Sequence, residues 1–262
     1  MIDWRHWHNE PYLVGGLVLL GWLWALAAGP FRARLAPGEP FPRAKAWMFY
    51  SALLIFYIAV GSPLDQIGER FLFSVHMLQH QLLMYPAAVL FLVGLPTWMV
   101  DAFLARPFVR AVARPFTAPI GCGLIFTVVI SVWHMPFLYD WALQNKVVHV
   151  VEHVMFFGAS LFYWWPLISP SRVLPPSGYG AQMIYVTAVL IGMTPVFAYI
   201  TFSSDPIYPT YEFAPRLFAN FSARDDQLLA GVSMKLMGLS IALLLLGISF
   251  YRWAKASEGK SS

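Results

Sequence analysis

Residues 147–167 read VVHVVEHVMFFGASLFYWWPL. The run is apolar and long enough to cross a hydrocarbon core of about 30 Å, which takes roughly 18 to 20 residues of helix. Its first turns nevertheless carry His149, Glu152 and His153. HVVEH taken alone matches the H-x-x-E-H pattern of one class of zinc hydrolases. What these polar groups do depends on where the other histidines fall.

Composition settles the class. Only 11% of the 262 residues are charged, against 59% hydrophobic and 17% aromatic, and the mean hydropathy is +0.61. So few charges cannot cover a water-soluble globule of this length, and the chain reads as an integral membrane protein. The single cysteine, Cys122, excludes an internal disulfide framework and any multi-cysteine metal site. Soft-metal chemistry must therefore come from His, Met and carboxylates. The net charge of +4 reads as membrane orientation, because the basic residues are spread over loops and form no groove interleaved with aromatics. Nucleic acid is not an expected partner; the lipid bilayer is.

Seven apolar stretches predict an all-α membrane protein, a seven-transmembrane-helix bundle, with spans at 11–28, 46–61, 74–94, 117–134, 147–167, 181–202 and 228–251. The second is short and is expected to recruit flanking residues such as Lys45 or Pro63. Pro86 and Pro195 lie within spans three and six, where they predict kinks that neighbouring helices make tolerable. Pro/Gly/Arg-rich loops such as GPFRARLAPGEPFPRAK and SPSRVLPPSGYG separate the spans. With no repeat and no loop long enough to fold alone, residues 1–262 read as one polytopic membrane domain.

Orientation follows from Lys and Arg. Arg32, Arg34, Arg43 and Lys45 follow span one, Arg106, Arg110 and Arg114 follow span three, and Arg252, Lys255 and Lys260 lie in the tail. The alternate segments hold Arg5; Arg70; Lys146; and Arg216 with Arg224. The positive-inside rule places the N-terminus outside and the C-terminus in the cytoplasm. Span one ends in ALAAGP, but its leading segment is not net basic, so it is expected to be a retained helix and not a cleaved signal.

This topology puts all seven histidines on one side of the membrane. His76 and His80 in SVHMLQH, and His149 and His153 in HVVEH, occupy the outermost turns of spans three and five; His134 ends span four; His6 and His8 precede span one. Residues four apart stand about 6 Å apart along one helix face, so each H-x-x-x-H pair offers two imidazoles to one neighbour. Two such helices supply up to four nitrogens, a set that suits zinc, copper or iron. Met77, Met135 and Met234 lie at similar depth, and thioether donors would favour Cu(I). Asp226 and Glu152 are expected to accept imidazole N–H groups and orient ligands. Lys235, deeper on span seven, needs a partner of its own, and Cys122 is expected only to pack.

Three stretches, SVHMLQHQLLMYPAAVLFLVGLP, VWHMPFLYDWALQNKVVHVVEHVMFFGASLFYWWP and DDQLLAGVSMK, resemble in order the motifs of the CtaG family of multi-pass cytochrome c oxidase assembly factors. This integral-membrane type is distinct from the single-span periplasmic copper chaperone that shares the name. The resemblance covers spans three to seven. It implies a non-enzymatic role in maturing haem–copper oxidases at the bacterial inner membrane, with copper handled on the outer side. Oxidase subunits and a periplasmic copper carrier are the implied partners. The family's histidine pattern falls on His76, His80, His134, His149 and His153, and its D-Q element on Asp226 and Gln227. The chain departs from the pattern at Leu229, Ala230 and Gly231 and at Lys235, where the family carries a second glycine and an aromatic.

Two other readings compete. A membrane zinc hydrolase would use His149 and His153 as ligands and Glu152 to activate water, but needs a third protein ligand and an open position. A haem b-binding electron carrier would use one histidine from each of two helices, leaving half of each pair unused and haem on one side only.

Overall fold

The computed structural model describes residues 4–5 and 7–258. It is 79% helical, with no strand among the described residues, which excludes a β-barrel in favour of a helical bundle. Six helices are long and apolar enough to span a membrane: α1 (Pro11–Ala28), α2 (Arg43–Gly61), α3 (Phe73–Gly94), α5 (Lys146–Ile168), α6 (Tyr179–Phe202) and α7 (Ala223–Glu258). A shorter helix, α4 (Pro119–Trp133), joins them if it is counted with the segment before it, giving seven. The second span starts at Arg43, taking in Lys45, and stops before Pro63, which opens the separate short helix Pro63–Arg70.

The fourth span departs from expectation. The span expected over 117–134 is present as α4, which starts at Pro119 and ends at Trp133, and it is preceded across a 64° bend by the exposed amphipathic helix Pro107–Thr117. The cause is Pro119, which disfavours helical geometry at the residue before it; Ala118 is accordingly extended (φ −69°, ψ 148°). Fifteen residues of α4 reach only about 22 Å. His134 follows the helix as its C-cap and does not lie within it.

The two interior prolines act as expected. Pro195 sits just past the break at Met193, between the two halves of α6. Around Pro86, α3 widens into a π-turn, Leu83–Ala87, which accommodates the missing N–H. The Trp164 indole of α5 donates to Met84 O at 2.9 Å within that turn. A buried directional bond thus sets the register of α5 against α3, and with it the relative heights of the two histidine pairs. These two helices form the middle of the bundle, with α2, α4 and α7 packed against them and α1 held at the periphery mainly by α2.

Close approach of α2 to the end of α3 depends on Gly94. A Cβ there would meet Phe49 N at 2.6 Å and Phe49 Cα at 2.7 Å. Trp24 Nε1 donates to Gly94 O (3.2 Å) and Lys45 Nζ to Val93 O (2.7 Å), satisfying carbonyls at the helix end. Because the obstruction is backbone, Gly94→Ala is expected to destabilise the protein by about 1 to 3 kcal/mol. Thermal unfolding in detergent should show a midpoint lower by several degrees, whereas Gly15→Ala, where a Cβ meets nothing, should leave it unchanged.

Candidate metal centre

Two caps fix where the histidine helices begin. Asn145 Oδ1 accepts from Val147 N (3.0 Å) and Val148 N (3.2 Å), so α5 starts one turn before His149. Asp226 of α7 accepts from Phe73 N (2.6 Å), Ser74 N (3.1 Å) and the Ser74 hydroxyl, placing a carboxylate on the N-terminus of α3 one turn before His76. Asp226 therefore positions a helix, its hydrogen bonds going to Phe73 and Ser74 and not to an imidazole, which corrects the expectation that it orients a ligand ring directly.

Between the caps, α3 and α5 face each other with their histidines inward. The ring centroids of His76 lie 5.2 Å from His149 and 5.4 Å from His153, and those of His80 and His153 are 5.1 Å apart. Glu152 is fully buried between them, with Oε2 3.8 Å from His76 Nε2 and Oε1 3.8 Å from His80 Nε2. One donor atom from each of His76, His149, Glu152 and His153 falls within 4.8 Å of the other three, close enough to surround one ion. His80 stands against Glu152, and His134 lies 6.3 Å from His80 by ring centroids, at the edge of the group. Glu152 thus lies between the imidazoles of both helices, facing His76 and His80 of α3.

The outer nitrogens are committed. Nδ1 of His153 bonds His149 O (3.0 Å) and Nδ1 of His134 bonds Ile130 O (2.7 Å); a carbonyl only accepts, so these nitrogens carry the proton and Nε2 keeps its lone pair. His149 Nδ1 lies 2.8 Å from Glu69 Oε1, the carboxylate–imidazole pairing typical of metal-bound histidine. His76 Nδ1 meets Tyr139 OH (2.8 Å) and Tyr211 OH (3.0 Å), and Tyr211 donates to Gly68 O (2.6 Å). The run His76 Nδ1–H to Tyr139 to Tyr211 to Gly68 O satisfies each donor in one direction. Gly68 permits this approach, since a Cβ there would lie 2.2 Å from Gln79 Oε1 and 3.1 Å from His76 Cα.

By contrast, the inward atoms have no hydrogen-bond partner among the described residues. They are Nε2 of His76, His80, His134, His149 and His153, Nδ1 of His80, and both oxygens of Glu152. All five expected histidines therefore lie in one neighbourhood, His134 at its edge, and the Nε2 of each has no hydrogen-bond partner among the described residues.

The flanking residues divide. Met77 and Met234 are buried and line a cavity with His80 and His134, whereas Met135 is 56% exposed and does not join them. Proline at 136 starts a new helix and turns the Met135 side chain out. Lys235 donates to Thr194 Oγ1 (3.1 Å) beside the Phe197 ring, and Cys122 packs with its thiol on Phe116 O. His6 lies outside the described residues. Sequence reasoning missed Tyr139, Tyr211 and Glu69, which lie in the short helices Pro136–Gln144, Pro209–Glu212 and Pro63–Arg70 that connect the spans.

A second cavity, of about 370 Å³, opens beside the cluster and is lined by His8, Glu10, Asp65, Glu69, His149 and His153 among others. At its polar end, Lys146 pairs with Glu10, and His8 Nδ1 lies 3.1 Å from Asp65 Oδ2 and 3.7 Å from Glu10 Oε1. Asp65 is also held by Gln79 Nε2 (2.9 Å) from α3.

Fold and site together define a multi-pass helical membrane protein with a buried His/Glu cluster near one end of its central helix pair. A family model described as cytochrome c oxidase caa3 assembly factor (Caa3_CtaG) matches residues 22–256, and the chain belongs to that family. The match takes in α2 to α6, α7 as far as residue 256, and every residue of the cluster. No curated protein and no solved structure matched the chain.

The hydrogen bond to Asp65 holds His8 above the ordinary imidazole pKa, against the opposing effect of its burial. A raised folded-state pKa contributes stability that is fully present below the unfolded value and is lost as pH rises through the folded one. The His8–Asp65 contact is thus expected to weaken on the alkaline side. Titration of His8 by NMR should give a lower pKa in Asp65→Asn than in the wild type; an unchanged pKa would show that Asp65 does not hold the proton.

Proposed function

We propose that the protein is a copper-binding assembly factor for cytochrome c oxidase, holding the ion at His76, His149, Glu152 and His153, with His80 and His134 alongside. The observation that carries this is the set of buried inward atoms without hydrogen-bond partners among the described residues. Each such atom costs about 1 to 3 kcal/mol. Summed over the cluster, that is comparable to the whole stability of a typical domain, about 5 to 15 kcal/mol. A bound cation offsets the cost by accepting those lone pairs. Imidazole nitrogens suit copper and also zinc. A monovalent ion beside the Glu152 carboxylate is electrically neutral, which favours Cu(I) in an interior where net charge is expensive.

The rest of the reading follows the family and the loop charges. Arg32, Arg34, Arg43 and Lys45 between α1 and α2 favour a cytoplasmic position for that connection. The N-terminus and the cluster then belong to the outer, periplasmic side of a bacterial inner membrane. Oxidase subunits are the recipients and a periplasmic copper carrier the donor, with the chain acting as one polytopic unit and not as an enzyme.

The hydrolase reading gains a third ligand in His76. It remains the weaker one because both Glu152 oxygens point at imidazole nitrogens on α3, which fits a ligand better than a base beside a substrate. A haem is disfavoured by the rings themselves, whose centroids are 4.3 to 5.4 Å apart within and between the pairs and leave no slot for a porphyrin plane.

Elemental analysis of the purified, copper-loaded chain tests the proposal. Bound copper is expected in the wild type, one equivalent less in the double variant His76→Ala/His149→Ala, and reduced retention in Glu152→Gln. Unchanged copper in the double variant would overturn the site. Intact metal in Glu152→Gln with oxidase maturation abolished would favour the hydrolase.

A further inference from the structure

Beyond the cluster, away from Glu69 and Asp65, lies a narrow cavity of about 40 Å³. Four of the chain's eleven methionines line it, Met77 and Met84 from α3, Met193 from the break in α6 and Met234 from α7, together with His80 and His134. Methionines from three different helices thus share one cavity with the two histidines least engaged by the cluster. Both histidines are more than nine-tenths buried, and the Nε2 of each has no hydrogen-bond partner among the described residues. His80 lacks one at Nδ1 as well, so its ring is held by packing alone.

We infer that this chamber is a second metal site, separate from the carboxylate-containing one and selective for a soft monovalent cation of the Cu(I) or Ag(I) class. Size argues first. A space of this order admits one or two atoms of water's dimensions, whereas organic cofactors need several hundred Å³. Ligand chemistry argues next, because thioethers and imidazoles are neutral soft donors that select Cu(I) over harder ions. Charge completes the argument. The cost of burying an ion grows with the square of its charge, and this lining includes no carboxylate to compensate. A divalent ion is therefore penalised far more than a monovalent one. The Phe156 ring, 4.0 Å from His80 by centroids, adds an aromatic wall of the kind that stabilises cations.

The inference rests on the copper reading above and deepens it: His80 stands between the two sites, 3.8 Å from Glu152 on one side and lining the chamber on the other. Passage of Cu(I) from the His/Glu site to the His/Met site exchanges ligands without any change of oxidation state, and the charge left behind is that of Glu152.

Ag(I) titration of the full-length chain in detergent, on a Cys122→Ser background to remove the single thiol, tests it. The reference protein should take up a second Ag(I) that Met193→Leu/Met234→Leu does not, while that variant keeps the first. Leucine conserves volume at both positions, so folding is expected to persist, and an unchanged thermal midpoint would verify it. X-ray absorption of the reference protein should show sulfur neighbours around silver that disappear in the variant. Full two-site uptake by the methionine variant, or an absence of sulfur neighbours, would overturn the chamber. Undiminished uptake by His76→Ala/His149→Ala would instead overturn the His/Glu site, so the two failures are distinct.

Discussion

The structure depends on a constraint that packing alone does not resolve. Two neighbouring helices in a membrane bundle turn four imidazoles and a carboxylate toward one another, and the atoms that face inward have no partner among the described residues. The surrounding protein is organised to sustain this arrangement: it occupies the outer nitrogens of His76, His134, His149 and His153 and leaves the Nε2 atoms without partners among the described residues.

Several unrelated bonds serve that one geometry. Asp226 anchors the start of α3 from α7, Asn145 sets the start of α5, and the Trp164 indole ties α5 to the π-turn of α3. Gln227, next to Asp226, accepts from Ile207 N at 2.8 Å and so holds the loop that delivers Tyr208 and Tyr211 over the cluster. Tyr208 then donates to His134 O at 2.9 Å, tying the end of α4 to the same roof. The D-Q element thus supports both the floor and the roof of the site through backbone contacts while supplying no donor atom to it.

Much of this was legible in the sequence, and the reasons are physical. Long apolar runs identify spanning helices because lipid permits little else, and i, i+4 spacing places both histidines of a pair on one face. The convergence of His76, His80, His134, His149 and His153 followed from those two rules. The bend at Pro119 was not foreseen because hydropathy runs unbroken through Ala118 while backbone geometry does not. The direction of Glu152 depends on how α5 rotates against α3, which only packing decides. Tyr139, Tyr211 and Glu69 come from connections whose path no periodicity encodes. Met84 and Met193 reach one cavity only through the π-turn of α3 and the break in α6, which no sequence periodicity encodes.

Copper X-ray absorption on the full-length, Cu-loaded protein tests the central claim most directly. The account expects a first shell containing nitrogen, with the outer-shell scattering that marks imidazole rings. A shell of solvent oxygen or of sulfur alone, with no imidazole contribution, would contradict it.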